Sequence, residues 1–455
     1  MSLAFILAFL LLSCQTPKNK NQIYFGGEIL NPKSPYVLLM QNEKVLDSIK
    51  LKADNTFEKY FDSLQPGLYF FKHSNEFQYV FFEPKDSIRI RLNTWDFDET
   101  LVFDGKGSEK NDFLLSVFLQ NEKEKDNFYS YFPLSESEFT KKYEEALLRN
   151  KNVLNQFFES NSNYSPQFKK LAEGAVTYPL YRFKELYPYF HQKLNNNDSI
   201  LQVSPEFYNF RKNVNLNDPQ LIEYYAYQNY ISSYIYNEAN TKNNYKAIDE
   251  NFKKILLNLI VEKIENHELK NRLLYQEIFN CLFKSTEKLS KENFDLFKAN
   301  CTNIELKNKI INLVDLKEKL PNQTLLPDFE LINFQKNKQH ISQLIEGKPS
   351  VLYFWSLEKT PVEFLNNRIK YLSAHFPNTQ FIGIQIDKSN SDPLKTYFSP
   401  QYYLPENSFG NTLISNDFPR AILLDKKGIV VQNFTLLFDY PIEKQLESIS
   451  KRVNK

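Results

Sequence analysis

The chain has 455 residues, a length that suggests roughly two to four domains, and a formal charge of +1. That balance gives no electrostatic case for a nucleic-acid partner. Hydrophobic residues make up 42% and charged residues 24%, an ordinary globular mixture, while only ten glycines and no GxGxxG or GxxxxGK[ST] stretch argue against a glycine-loop phosphate binder.

The first element is the apolar run Leu3 to Leu12 in "MSLAFILAFLLLSCQTPKNKNQ". It is shorter than the roughly 20 residues that span a bilayer and fits the apolar core of a secretory signal, although no positive leader precedes it. It ends in Leu11-Leu12-Ser13-Cys14, which resembles a bacterial lipobox. The resemblance implies lipidation of Cys14, a membrane anchor through that residue and a cell-envelope location. With no Asp after the cysteine, it implies the outer membrane, with the chain facing the periplasm. We therefore divide the leader into a signal peptide and lipobox at 1–14 and a polar tether at 15–21.

From 22 to 107, "IYFGGEI", "YVLLM", "KVLDSIKL", "GLYFFKH", "QYVFFE" and "SIRIRL" are β-branched or aromatic runs, several with period-two alternation. Asn31-Pro32, Asp54-Asn55, Pro66-Gly67 and Pro84-Lys85-Asp86 punctuate them. The spacing predicts an antiparallel β-sandwich. With its closing "FDGKGSEKNDF", the segment resembles the β-rich domain of unassigned function that precedes thioredoxin-like modules in some Gram-negative lipoproteins.

From 108 to 320 the period changes to that of helix, in "FTKKYEEALLRNKNVLNQFFES" and "NFKKILLNLIVEKIENHELKNRLLYQEIFNCLFK". The tyrosine-dense "EYYAYQNYISSYIYNE" reads first as half-buried core with hydroxyls at the rim, and second as the lining of a glycan- or peptide-binding groove. Beyond Cys14 the only cysteines are Cys281 and Cys301, outside any CxxC, and the five histidines are scattered singly. We expect no metal site and no cofactor.

From 321 to 455 the pattern is α/β. "PSVLYFW" is a continuous apolar strand, followed by a helix with Val362, Leu365, Ile369, Leu372 and Phe376 on one face, then the strand "QFIGIQID". After an insertion come "PRAILLD", the turn "KKG", "IVVQNF" and a last helix with Ile442, Leu446, Ile449 and Val453 on one stripe. "LLPDFELIN", "LIEGKPSVLYFWS" and "FPRAILLDKKGIVV", in that order, make this segment similar to the TlpA-type thioredoxin-like family, related to the alkyl hydroperoxide reductase and thiol-specific antioxidant group. The resemblance covers about the last 130 residues. It implies a thioredoxin fold, with the family's cis-proline role on Pro419.

In that family a CxxC pair follows the strand. Here the equivalent positions are Lys359 and Val362, and Pro361 keeps the proline before the second. Lysine is no thiol nucleophile, valine cannot resolve a mixed disulfide, and no cysteine follows Cys301. Thr360-Pro361-Val362-Glu363 still offers an N-cap hydroxyl, a proline at the first helical position and a capping-box glutamate.

The expected whole is a multidomain α+β chain: a β-sandwich, an all-helical middle and a thioredoxin-like α/β domain without redox cysteines. Trp355, Glu358, Lys359, Phe418 and Pro419 are expected to line a peptide-docking surface in a non-enzymatic binding or scaffold protein. The alternatives are a thiol–disulfide oxidoreductase acting through Cys281 and Cys301 or a partner's thiols, and a glycan or peptide carrier using the Tyr-rich helices.

Overall fold

The computed structural model describes residues 21–42, 44–160, 163–197, 199–246, 248–284, 289–357, 359–387, 398–415, 419–438 and 441–453. The chain separates into two compact units, Met1–Ala247 and Ile248–Lys455.

The first unit opens with strands β1 (Ile23–Leu30), β2 (Tyr36–Gln41), β3 (Lys44–Lys50), β4 (Thr56–Phe61), β5 (Gly67–His73), β6 (Glu76–Phe82) and β7 (Ser87–Asn93). A single helical turn α1 (Phe97–Thr100) and strand β8 (Val102–Lys106) follow. They form two four-stranded sheets, β4-β1-β7-β8 and β3-β2-β5-β6. Alternation along the strands sends Phe25, Phe57 and Ile90 of one sheet and Val37, Phe71 and Phe82 of the other into a common core. The expected sandwich needs one correction: β1 and β7 pair in parallel, Tyr24 opposite Ser87. Parallel neighbours require a long connection, and β2 to β6 supply it.

Four helices complete this unit: α2 (Ser108–Tyr131), α3 (Glu136–Ser160), α4 (Pro166–Asn195) and α5 (Tyr225–Lys242). The "GKGSEKND" run is the joint that fastens α2 to the sheets. Gly105 lies at φ +97°, and a side chain there would meet the Ser87 carbonyl at 2.1 Å. Gly107 lies at φ +88°, and its missing Cβ leaves room for the Asp86 carboxylate. Lys110, 3% exposed, donates to Glu83 Oε2 at 2.6 Å and to Asp86 Oδ2 at 3.0 Å. Asn111 acts as a side-chain rung on β6, accepting from Phe81 N at 2.6 Å and donating to Phe81 O at 3.1 Å.

Further along, Arg211 grips Glu185 with two hydrogen bonds of 2.8 and 2.5 Å and reaches Glu238 at 2.6 Å. The tyrosines of α5 belong to this interior. Tyr227 and Tyr230 are fully buried; the Tyr227 hydroxyl donates to Asn215 O at 2.8 Å, and burial raises both phenols well above their usual range. Tyr227 and Tyr230 are thus core residues, in line with the packing reading, while Tyr225, Tyr234 and Tyr236 are half-buried.

The second unit begins with helices α6 (Glu250–Lys263), α7 (His267–Lys284), α8 (Lys291–Asn300) and α9 (Ile304–Lys319). The helices expected as one stretch are thus divided: α2 is bonded to β6 and to the turn that follows it, whereas α9 runs into a linker that lies on the α/β sheet.

That sheet contains β9 (Glu330–Asn333), β10 (Lys338–His340), β11 (Ser350–Trp355), β12 (Gln380–Gln385), β13 (Gln401–Tyr403), β14 (Arg420–Leu424) and β15 (Val430–Leu436). Helices α10 (Ile341–Ile345), α11 (Val362–His375) and α12 (Pro441–Val453) pack on it. The order is β10-β9-β13-β12-β11-β14-β15. Within it β11 and β12 are parallel, and β14 is antiparallel to both β11 and β15. This is the thioredoxin order of βαβ followed by ββα. Every residue of β11 is buried, as its unbroken apolar run requires for the strand covered on both faces. Leu365, Ile369, Leu372, Ile442 and Leu446 put α11 and α12 on one face, and Ile341, Ile345 and Leu413 cover the other.

Replacing Lys110 by Met leaves two carboxylates facing each other without a cation. We expect a loss of about 3–5 kcal/mol in denaturant unfolding of the first unit. Adding Asp86→Asn should recover part of it; an unchanged midpoint for the single variant would mean that the ion triad does not hold the joint.

Candidate functional site

The candidate site lies at the carboxyl end of β11, where the chain turns into α11. Trp355 ends that strand. It was expected on the docking surface, but it is fully buried. Its indole Nε1 donates to Gln401 Oε1 at 2.9 Å, and Gln401 Nε2 in turn donates to the Tyr353 hydroxyl at 2.5 Å. Gln401 occupies the space over Gly383, where a Cβ would meet its Oε1 at 2.0 Å. Two short, uncharged sequence features thus fix the tryptophan: a glycine in β12 and a glutamine in β13.

The turn after Trp355 is tied down by an aspartate. Asp387, just beyond β12, accepts from the Ser356 hydroxyl at 2.7 Å through Oδ1 and from the Leu357 amide through Oδ2. Ser356 O accepts from Thr360 N at 2.9 Å and Lys359 N at 3.2 Å, which closes the turn. The helix start differs from the capping-box expectation. The N-cap is Pro361, without a side-chain cap bond, and α11 begins at Val362. Thr360 is buried, one position too early to cap.

Lys359 is exposed in this turn and Val362 is half-buried against the α11 side of the core. The first position holds a lysine just before the helix start, where disulfide exchange would need a thiolate. Pro419 is buried immediately before β14, its carbonyl accepting from Leu437 N at 2.9 Å. Glu358 and Phe418 lie outside the described residues, as does Cys14. The structure therefore places Lys359 and Val362 at the helix start and Trp355 and Pro419 beneath the surface.

The remaining thiols are remote in kind. Cys281 is half-buried on α7, and Cys301, fully buried, follows α8; both are free. Burial raises the Cys281 thiol above its ordinary value although Lys253 beside it pulls the other way. Burial raises Cys301 as well, against a weak contact to Asn303 O at 3.7 Å. Neither has the lowered pKa that marks an exchanging thiol. Among the described residues no group of three or more His, Cys, Asp or Glu side chains is placed to hold a metal ion.

Three participants escaped the sequence: Ser356, Asp387 and Gln401. Asp387 could have been found as the acid that ends "QFIGIQID", two residues past a buried strand. Gln401 lies in the insertion and carries no local signal.

No family model matches the chain, and no curated protein matches it. Solved structures do. The thioredoxin domain of a thiol-disulfide oxidoreductase from Bacteroides vulgatus is 20% identical, with 30% of this chain and 99% of that chain covered and a TM-score of 0.24. A thiol:disulfide interchange protein from Bacteroides sp. is 17% identical over 30% and 92%, with a TM-score of 0.23. A thiol peroxidase from Chromobacterium violaceum is 17% identical over 29% and 90%, also at 0.23. The fold assignment for residues 321–455 rests on the strand order and directions described above.

Asp387→Ala removes both acceptors of the Ser356–Leu357 turn. We expect a loss of about 1–3 kcal/mol and, in a Trp95→Phe background, a red-shifted Trp355 emission. An unshifted spectrum with unchanged stability would show that the turn holds itself.

Proposed function

We propose that this chain is an envelope lipoprotein whose thioredoxin-like domain binds extended peptide without exchanging disulfides. The observation that carries the reading is the pairing of an ordered thioredoxin turn, held by Asp387 and Gln401, with Lys359 and Val362 at the two thiol positions. The partner is an extended segment passing Pro419 with an acidic residue near Lys359. The positive end of α11 favours an acidic side chain there.

The test is disulfide exchange, measured by insulin reduction, on the chain from Gln15 onward and on its Cys281→Ser/Cys301→Ser variant. Neither protein should be active. Activity that disappears in the double variant would overturn the non-redox reading in favour of an oxidoreductase using those thiols. In parallel, cysteine-free peptides carrying an acidic residue should change Trp355 emission saturably. A panel that leaves it unchanged would remove the binding role.

The anchor rests on the apolar run ending in Leu-Leu-Ser-Cys14. Among the described residues no helix is long and apolar enough to cross a membrane. Labelled palmitate should enter the native chain expressed in a Gram-negative host and not a Cys14→Ser variant. Equal labelling of both would sink the lipoprotein reading.

A further inference from the structure

The crossover between β1 and β2, residues 31–35, carries the chain from one sheet of the first unit to the other. It is exposed or half-buried along its length and turns through Asn31 at φ +53°. Positions 32 and 35 are proline and offer no amide. Side chains from beyond both sheets' strands fasten it. Past β7, Thr94 Oγ1 donates to Asn31 O at 2.6 Å, and Lys33 Nζ returns to Thr94 O at 3.2 Å. From the end of β5 comes His73.

His73 is 1% exposed, and both ring nitrogens are engaged. Nε2 accepts from Lys33 N at 2.9 Å, so this nitrogen carries no proton. Nδ1 then holds the proton of the ring and donates it to Tyr36 O at 3.1 Å. One neutral tautomer thus satisfies both contacts. A second proton would set an N–H on Nε2 against the Lys33 N–H, donor facing donor, in a buried place. The charged groups on the elements around the ring are Lys33 in the crossover, Lys50 opposite Tyr36 on β3, Lys72 and Glu76 in the β5–β6 hairpin, and Asp96 and Asp98 at α1. Asp98 is taken up by Gln78 Nε2 at 2.9 Å. Burial is the largest influence and lowers the imidazole below its usual range; the Tyr36 carbonyl opposes this, and the Lys33 ammonium adds to it.

We propose that His73 is an acid-released clasp: its neutral ring pins the crossover to β5, and uptake of one proton frees residues 33–36 from that strand. In the released crossover the ring titrates near its ordinary value of about 6.5. In the clasped one it titrates lower, so the clasp is fully effective above about 6.5 and is lost as pH falls through the lowered value. The Thr94 hydroxyl does not titrate, so the fastening at Asn31 stays and the release is confined to the side of the crossover nearer β2.

The full chain labelled with nitrogen-15 histidine should show, by long-range nitrogen–proton correlation, a His73 ring that is neutral at about pH 7 and protonated on Nδ1. Hydrogen exchange read by mass spectrometry on the peptide spanning 31–36 reports the clasp through the Lys33 amide. Corrected for intrinsic rates, its opening constant should rise about fivefold or more from about pH 7.5 to pH 5, within the limit of about tenfold per pH unit that one proton sets. In His73→Gln, whose amide has an acceptor and a donor and cannot titrate, the constant should stay flat. A ring that is charged or protonated on Nε2 at neutral pH, an opening constant that ignores pH, or an equal rise in the folded variant would each overturn the proposal. The exchange measurement on the native chain needs no substitution, so the test stands even if the variant fails to fold.

Discussion

A charge taken out of water has to be met by another polar group, and the interior of each unit is organised around that requirement. Lys110 meets Glu83 and Asp86 where α2 leaves the sheets; Gly107 leaves room for the Asp86 carboxylate, and Gly105 lets β8 lie close against Ser87 of β7. Glu185, with its side chain fully buried, is satisfied by Arg211 and by Asn237 Nδ2 at 2.7 Å, which binds α4, α5 and the 205–213 turn into one body. Arg420 of β14 is different. It is fully buried between the rings of Phe354 and Phe434, with centroids 5.8 and 5.5 Å away, and burial lowers its pKa. Only Nη2 is hydrogen-bonded; Nε and Nη1 have no partner. The aromatic faces supply part of what a carboxylate would.

The turn between β11 and α11 is held together without any thiol. The groups that hold it lie outside the motif. Asp387 comes from the end of β12, Gln401 from β13, and the space for Gln401 from Gly383. None of these side-chain bonds is made by the side chain at position 359 or 362. The shape of the turn is carried by the neighbouring strands.

How much of this was legible in the sequence depends on the range of the interaction. β11, α11 and the β14–β15 hairpin were readable because each is a run with one period: unbroken apolar, helical stripe, and two strands about a Gly turn. Most strands of the sandwich were readable for the same reason, but β4 and β8 were not, since "TFEKYF" and "VFDGK" are short and carry mixed charge on their outer positions. The parallel pairing of β1 with β7 has no local signal at all, because periodicity fixes faces and not partners. Trp355 was misplaced for a related cause. Its position beside a motif suggested exposure, while its burial is decided by Gln401, 46 residues later. The helix cap moved by one residue because Thr360 is buried in the turn instead of facing the first amides of α11.

The place of β1 has a mechanical consequence. It follows directly on the polar stretch at 15–21 and lies inside its sheet, antiparallel to β4 on one side and parallel to β7 on the other. Tension applied at its leading end acts along the strand axis, so both ladders are loaded together in shear. No hydrogen bond can be peeled off one at a time from a free edge. Force arriving through the amino-terminal segment therefore has to break two rows of bonds at once, along the core that contains Phe25 and Ile29.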